Sequence, residues 1–236
     1  MKSTTARTKN ILAAFDAYQN VAEAAMDGTP AMGMFSGKAG LGKTTAGAWL
    51  FSHADGILVR CLKADTLGTF LERMALDLGL EARSRRADML NFIVRELAFQ
   101  NKPVFIDEAD YLAEKVPVLE TLRDIYDLAN VPIILIGYEQ LPKKIKRLPQ
   151  LLSRISQHVE FKPADLDDIN IMANDLVENC TIDQALLEQL LKASKGNFRR
   201  ITVGLGYIEK FCRSNSLGSI SQSQWADRPF FPAGEF

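Results

Sequence analysis

The chain has 236 residues, 47% of them hydrophobic and 24% charged, with 28 Lys and Arg against 29 Asp and Glu and a formal net charge of −1. A chain of this length and composition buries about 70% of its unfolded surface, which excludes wholesale disorder and a disulfide-stapled scaffold. A near-zero charge also excludes a uniformly basic nucleic-acid coat, so any DNA contact has to use local patches.

Ile11, Leu12, Phe15 and Val21 lie on one face of an amphipathic helix that ends near Gly28. Residues 31–36 read as a short buried strand. Gly37-Lys38-Ala39-Gly40-Leu41-Gly42-Lys43-Thr44 follows, then a helix to about His53. A second strand is predicted over 57–62. Thr66 is placed to cap a helix running to about Leu78. A charged turn over 81–88 precedes a helix with Leu90, Ile93, Val94 and Leu97 on one face. Strand 103–107, helix 116–129 and strand 132–137 come next, and 158–161 is predicted as the fifth strand.

Strands alternating with helices indicate an α/β fold with a parallel sheet. After Pro163 the pattern turns purely helical, over 165–179, 183–194 and 197–213, with Asp165 and Asp183 as N-caps. The last twenty residues, rich in Ser, Gln, Pro and Phe, read as a tail or docking segment. The predicted division is a nucleotide-binding base with its N-terminal helix over 1–162, a helical lid over 163–213 and a tail over 214–236.

Cys61, Cys180 and Cys212 are widely spaced, with no CxxC pair, and the only histidines are His53 and His158. Reduced thiols and no zinc site are expected. There is no signal-peptide apolar region and no run of about 20 apolar residues, so a soluble, cytoplasmic protein with no membrane partner is expected.

Residues 37–44 match GxxxxGK[ST] in full, between a strand and a helix. Glycines at 37, 40 and 42 let the backbone turn tightly, so N–H groups from Gly37 to Thr45 can cradle phosphate oxygens. Lys38, Ala39 and Leu41 complete that loop. Lys43 would reach the β- and γ-phosphates of ATP, Thr44 would bind Mg²⁺, and the helix N-terminus adds favourable partial charge. About 60 residues on, Val104-Phe105-Ile106 leads into Asp107-Glu108-Ala109-Asp110. This places two acids at the C-terminal end of a buried strand, the edge where open α/β sheets bind ligands. Asp107 would hold Mg²⁺ with Thr44. Glu108 would polarise the attacking water, so hydrolysis is expected rather than phosphate transfer.

This pair of motifs resembles the AAA+ P-loop NTPases. The compact form with DEAD at 107–110 is similar to the transposition-regulator group of the phage Mu B protein, TnsC and IstB, and to the secretion ATPase ExeA. The resemblance covers about residues 10–212 and implies a parallel five-stranded sheet flanked by helices, with a small C-terminal helical lid and ATP between lid and base. Residues 133–137 resemble the family's fourth strand, whose end carries a polar sensor residue; Tyr138 and Glu139 are the candidates here. Leu151-Leu152-Ser153-Arg154-Ile155 resembles the segment carrying an arginine finger, with Arg154 as first choice and Arg147 in reserve. Gly196-Asn197-Phe198-Arg199-Arg200 resembles the sensor-2 motif. Arg199 would reach the nucleotide phosphates, with Arg200 structural or at the surface.

Charge is segregated, net +3 over 137–160, −5 over 161–193 and +4 over 194–213. In the transposition ATPases, loops between the two nucleotide motifs face DNA along a filament axis. By that resemblance Lys63, Thr66, Arg83, Ser84, Arg85 and Arg86 are the DNA-facing candidates, contacting phosphates without reading sequence. No aromatic residues interleave them, so base stacking is not expected. Residues 143–147 could instead meet a subunit or partner. About 30 residues precede the first strand, too few for a separate N-terminal DNA-binding domain.

The function implied is an ATP-dependent, non-sequence-specific DNA-binding ATPase. It would form oligomers or filaments on duplex DNA, select target DNA and activate a partner transposase, using ATP and Mg²⁺. Two alternatives stand beside it. One is a helicase-loader-type replication accessory ATPase; the other is a nucleotide-gated secretion-system ATPase.

Overall fold

The computed structural model describes residues 1–81 and 85–231. The chain divides into two compact units. Residues 13–38 and 43–161 form the first. In chain order they supply α1 (Lys9–Met26, from Ala13 onward), β1 (Met32–Ser36), α2 (Lys43–His53), β2 (Ile57–Arg60), α3 (Leu67–Asp77), α4 (Arg86–Gln100) and β3 (Val104–Asp107). A 3₁₀ turn (Ala109–Tyr111), α5 (Val116–Ala129), β4 (Ile133–Gly137), α6 (Leu141–Ile145), α7 (Pro149–Leu152) and β5 (Ile155–Glu160) complete it.

All five strands are parallel, in the order β2-β3-β4-β1-β5. Every residue of β1, β3 and β4 is buried. Helices cover both faces, which is why these strands are continuous apolar runs without alternation. Phe35, Phe105, Leu50, Phe70, Ile93 and Leu119 are fully buried around them. β5 is an edge strand with alternating exposure. Its polar Ser156, Gln157 and His158 hide it from an apolar-run search, so it begins three residues before the predicted 158. The short α6 and α7 were not predicted; each carries a proline in its first turn, where the missing N–H costs nothing.

Residues 1–12, 39–42 and those from Lys162 onward form the second unit. It contains α8 (Leu166–Leu176), β6 (Thr181–Ile182), α9 (Gln184–Ser194), α10 (Phe198–Ser214), β7 (Ser219–Ile220) and α11 (Gln222–Trp225). Asp165 caps α8 through a capping box with Asp168. Asp183 occupies the N-cap of α9 but makes no side-chain cap bond, contrary to expectation. The segment after 214 is docked. Trp225 meets Phe211 edge-on, stacks on Phe230 at 5.5 Å, and the Arg228 guanidinium lies 4.5 Å from the Phe211 ring.

Cys61 and Cys212 are buried and Cys180 is half-buried, all three as free thiols. Burial pushes the Cys61 thiol up to about 12, so it is protonated and inert at neutral pH. Among the described residues no helix is long and apolar enough to cross a membrane.

Leu135 lies fully buried in β4, whereas Leu128 is 64% exposed on α5. Leu135→Ala should lower the unfolding free energy by about 2–5 kcal/mol. Leu128→Ala should change it by less than about 0.5 kcal/mol, both measured by urea denaturation.

Candidate functional site

In the first unit β3, β4 and β1 are neighbours, so their C-terminal ends lie in one row. β1 leads into Gly37. There φ is 152°, and a Cβ would lie 2.8 Å from the Phe161 carbonyl oxygen, so only glycine fits. Lys43 opens α2, and its ammonium donates to the carbonyls of Gly37 (2.8 Å) and Lys38 (2.7 Å). The same nitrogen lies 5.4 Å from the centre of the Tyr138 ring, just past β4. Thr44 Oγ1 donates to Asp107 Oδ1 at 3.3 Å. Asp107 ends β3 and is only 3% exposed. Thr45 is exposed on α2.

The chain leaves β3 through Glu108, which takes the left-handed conformation (φ 56°) that non-glycine residues rarely adopt. Its carboxylate lies 3.8 Å from the Arg60 guanidinium at the end of β2. The buried Asp110 accepts the Tyr138 N–H and so ties the turn after β3 to the end of β4. Sequence reasoning gave Asp110 and Arg60 no role. Asp110 could have been found as the fourth residue of DEAD, whereas Arg60 carries no motif. Tyr138 has its N–H on Asp110 and its ring by Lys43, while Glu139 is simply exposed.

In the second unit Gly40 (φ 76°) and Gly42 (φ 90°) turn the crest of the loop. The carbonyl of Ala39 accepts from Asn197 Nδ2 (3.1 Å). That of Gly40 accepts from the Arg199 N–H (3.2 Å), and that of Leu41 from Asn10 Nδ2 (3.2 Å). Asn197 also caps α10, its Oδ1 accepting the Arg200 N–H at 3.1 Å. The Arg199 side chain is exposed, and the Arg200 guanidinium lies 4.3 Å from the Phe231 ring.

A family model described as an AAA domain matches residues 26–145, just over half of the chain. The chain belongs to the AAA-domain family. It is 35% identical over 126 residues to a Staphylococcus aureus protein named "Potential ATP-binding protein", covering 50% of this chain and 46% of that one. It is similar in fold to Aeropyrum pernix ORC2 in its ADPNP-ADP complexes, with a TM-score of 0.72, 17% identity, 89% of this chain and 65% of that one. It is also similar to Aeropyrum pernix ORC1 in complex with DNA, with a TM-score of 0.62, 14% identity, 89% of this chain and 63% of that one. The chain therefore spans less than half of the Staphylococcus relative and less than two thirds of either archaeal structure.

Beyond the residues matched by the family model, Arg154 is engaged within its own chain. Its Nε and Nη2 both donate to the Asp127 carboxylate at 2.6 Å, and Nη1 donates to the Gln150 carbonyl. Donating these hydrogen bonds to the Asp127 carboxylate raises the guanidinium pKa further. Arg147 is exposed just beyond α6.

Thr66 caps α3 in a reciprocal box with Thr69, its Oγ1 accepting the Thr69 N–H at 3.3 Å. Lys63 is exposed, and its carbonyl accepts from Lys115 Nζ at 2.8 Å. Arg85 and Arg86 open α4 and are exposed. Arg86 Nε and Thr66 Oγ1 lie 3.4 and 3.7 Å from where a Cβ on Gly68 would stand. Arg86 at the start of α4 therefore lies beside Thr66 at the start of α3. Arg83 and Ser84 lie outside the described residues.

One imidazole next to the loop loses proton affinity on folding. His158 Nε2 lies 2.8 Å from Ser36 Oγ, at the residue before Gly37. Burial lowers the imidazole pKa from 6.5, with Glu160 opposing and Lys146 assisting. The unfolded chain therefore holds the proton more tightly than the folded one. The neutral ring's contribution is complete above about pH 6.5 and is lost as pH falls below it. The melting temperature should drop between about pH 7.5 and 5.5. His158→Asn, which cannot titrate, should flatten part of that drop, and identical pH dependence in the two proteins contradicts the assignment.

Proposed function

We propose that this chain binds ATP with Mg²⁺, hydrolyses it, and uses its nucleotide state to assemble on duplex DNA. There it would select target DNA and activate a partner transposase. The observation that carries the ATPase reading is the pairing of Thr44 with the buried Asp107, beside Glu108 and below the Lys43-bearing loop. A hydroxyl and a carboxylate are hard oxygen donors, the set that Mg²⁺ prefers, and a Mg²⁺ held there would neutralise phosphate charge. Lys43 would exchange the Gly37 and Lys38 carbonyls for phosphate oxygens. Glu108 would accept a proton from the attacking water at its carboxylate, with Arg60 beside it fixing its direction. Arg199 is assigned to the phosphates by its place in the GNFR motif. Arg154 would serve a neighbouring subunit's nucleotide after exchanging its partly exposed pairing with Asp127 for phosphate oxygens.

The DNA reading is supported by Arg86 lying beside Thr66, where the N-termini of α3 and α4 add partial positive charge, and by the exposure of Lys63 and Arg85. A filament repeats this patch on every subunit, so a modest patch suffices. Self-association into a ring or helical filament belongs to the same reading. The transposase reading comes from the sequence likeness to the Mu B, TnsC and IstB group. A replication-accessory reading is favoured by one observation, the likeness in fold to ORC proteins, one of them in complex with DNA. The two differ in which partner stimulates ATP turnover, a transposase or a helicase.

Glu108→Gln should retain ATP binding and lower kcat by about 10²–10⁴-fold. With a slowly hydrolysed ATP analogue the same protein should form filaments on duplex DNA, seen by negative-stain microscopy. Reversing Lys63, Arg85 and Arg86 to Glu should abolish those filaments without changing ATP affinity. Unchanged turnover in Glu108→Gln removes the base assignment, and unchanged filaments after charge reversal place DNA elsewhere.

A further inference from the structure

A trans peptide unit holds its C=O and its N–H on opposite sides. No cis peptide occurs among the described residues. Whatever takes the carbonyl of residue n therefore aims the N–H of residue n+1 the other way. At the crest of the loop three consecutive carbonyls are taken, Ala39 by Asn197 Nδ2, Gly40 by the Arg199 N–H and Leu41 by Asn10 Nδ2. The N–H groups of Gly40, Leu41 and Gly42 consequently all point away from those donors. Among the described residues none of the three has a protein acceptor. Asn10 is itself locked, donating to the Lys162 carbonyl at 2.8 Å and accepting the Lys162 N–H at 3.1 Å. Asn197 is locked at its oxygen by the Arg200 N–H.

We infer that Asn197 and Asn10 are positioning residues for nucleotide binding. By holding the carbonyls of Ala39 and Leu41 they preset the crest so that its N–H groups converge on a phosphate before the ligand arrives. The inference rests on the ATP-binding reading above. Neither asparagine touches the phosphate in this scheme; each acts through the backbone. A preset cradle saves the ordering that a free glycine-rich loop would undergo on binding.

Asn197 has two duties, and chemistry can separate them. Its Oδ1 caps α10, which a serine hydroxyl also does, whereas its Nδ2 reaches Ala39, which a serine cannot. In the full chain Asn197→Ser should therefore lower the ligand-free folding equilibrium constant by no more than about tenfold, the loss of the single bond to Ala39. Its Kd for Mg²⁺-ADP, by isothermal titration, should rise roughly three- to tenfold, the worth of one hydrogen bond. The loss should appear in KM for ATP, with kcat falling less than about twofold, because the crest binds ground state and transition state alike. Asn197→Asp keeps the cap and lacks the amide donor, so it should weaken binding at least as much and serves if the serine variant is unstable. Equal Kd in parent and variant overturns the inference. Absence of Mg²⁺-ADP binding in the parent overturns the ATP reading itself and the inference with it.

Discussion

A backbone loop can offer several N–H groups to one anion only if other donors take its carbonyls. This constraint governs residues 37–42. Gly37 and Lys38 give their carbonyls to the Lys43 ammonium. Ala39, Gly40 and Leu41 give theirs to Asn197, the Arg199 N–H and Asn10. Five carbonyls in succession are thus engaged, and the positive φ values of Gly37, Gly40 and Gly42 are the conformations that let them be. Lys43 is the member of this set that can exchange, since an ammonium gains more from phosphate oxygens than from neutral carbonyls. The asparagines have no such incentive and remain as fixed supports.

Around the loop the sheet supplies the remaining geometry. β1, β3 and β4 are adjacent, so Gly37, Asp107 and Tyr138 reach the same edge without any long connection. Asp110 ties the turn after β3 to the end of β4. Arg60, at the end of the neighbouring β2, meets Glu108. The loop beyond β2 is fixed in turn. Lys115 binds the carbonyls of Lys63 and Asp65, and Arg73 pairs with the buried Asp65 at 2.7 Å. The loop leading into α3 is therefore held by hydrogen bonds that also involve the segment following Glu108.

The glycine-rich motif and the Asp107-Glu108 pair were legible in the sequence because their spacing and flanking apolar runs are set by the chemistry itself. β1, β3 and β4 were legible because burial on both faces leaves them apolar except for Ser36 and Asp107 at the strand ends. β5 was misplaced because an exposed edge strand alternates and its polar half reads as loop. The segment around Trp225 and Phe230 read no more narrowly than as a tail or docking segment because short polar residues surround its few anchors. Asn10 and Asn197 were invisible for a different reason: their partners are main-chain carbonyls, which every residue carries, so no side-chain pattern marks them. Arg154 was singled out by its motif, but its bond to Asp127 was not, because that partner lies 27 residues away in sequence.

The central claim is that the N–H groups of Gly40, Leu41 and Gly42 are already turned toward a phosphate site. Amide NMR of the full chain, titrated with Mg²⁺-ADP, tests it most directly. The account predicts that these three N–H resonances move furthest downfield, together with that of Lys43, while the amide resonances of the Asn10 and Asn197 side chains stay nearly fixed. Large movement of the asparagine amides with little change at Gly40, Leu41 and Gly42 would contradict it.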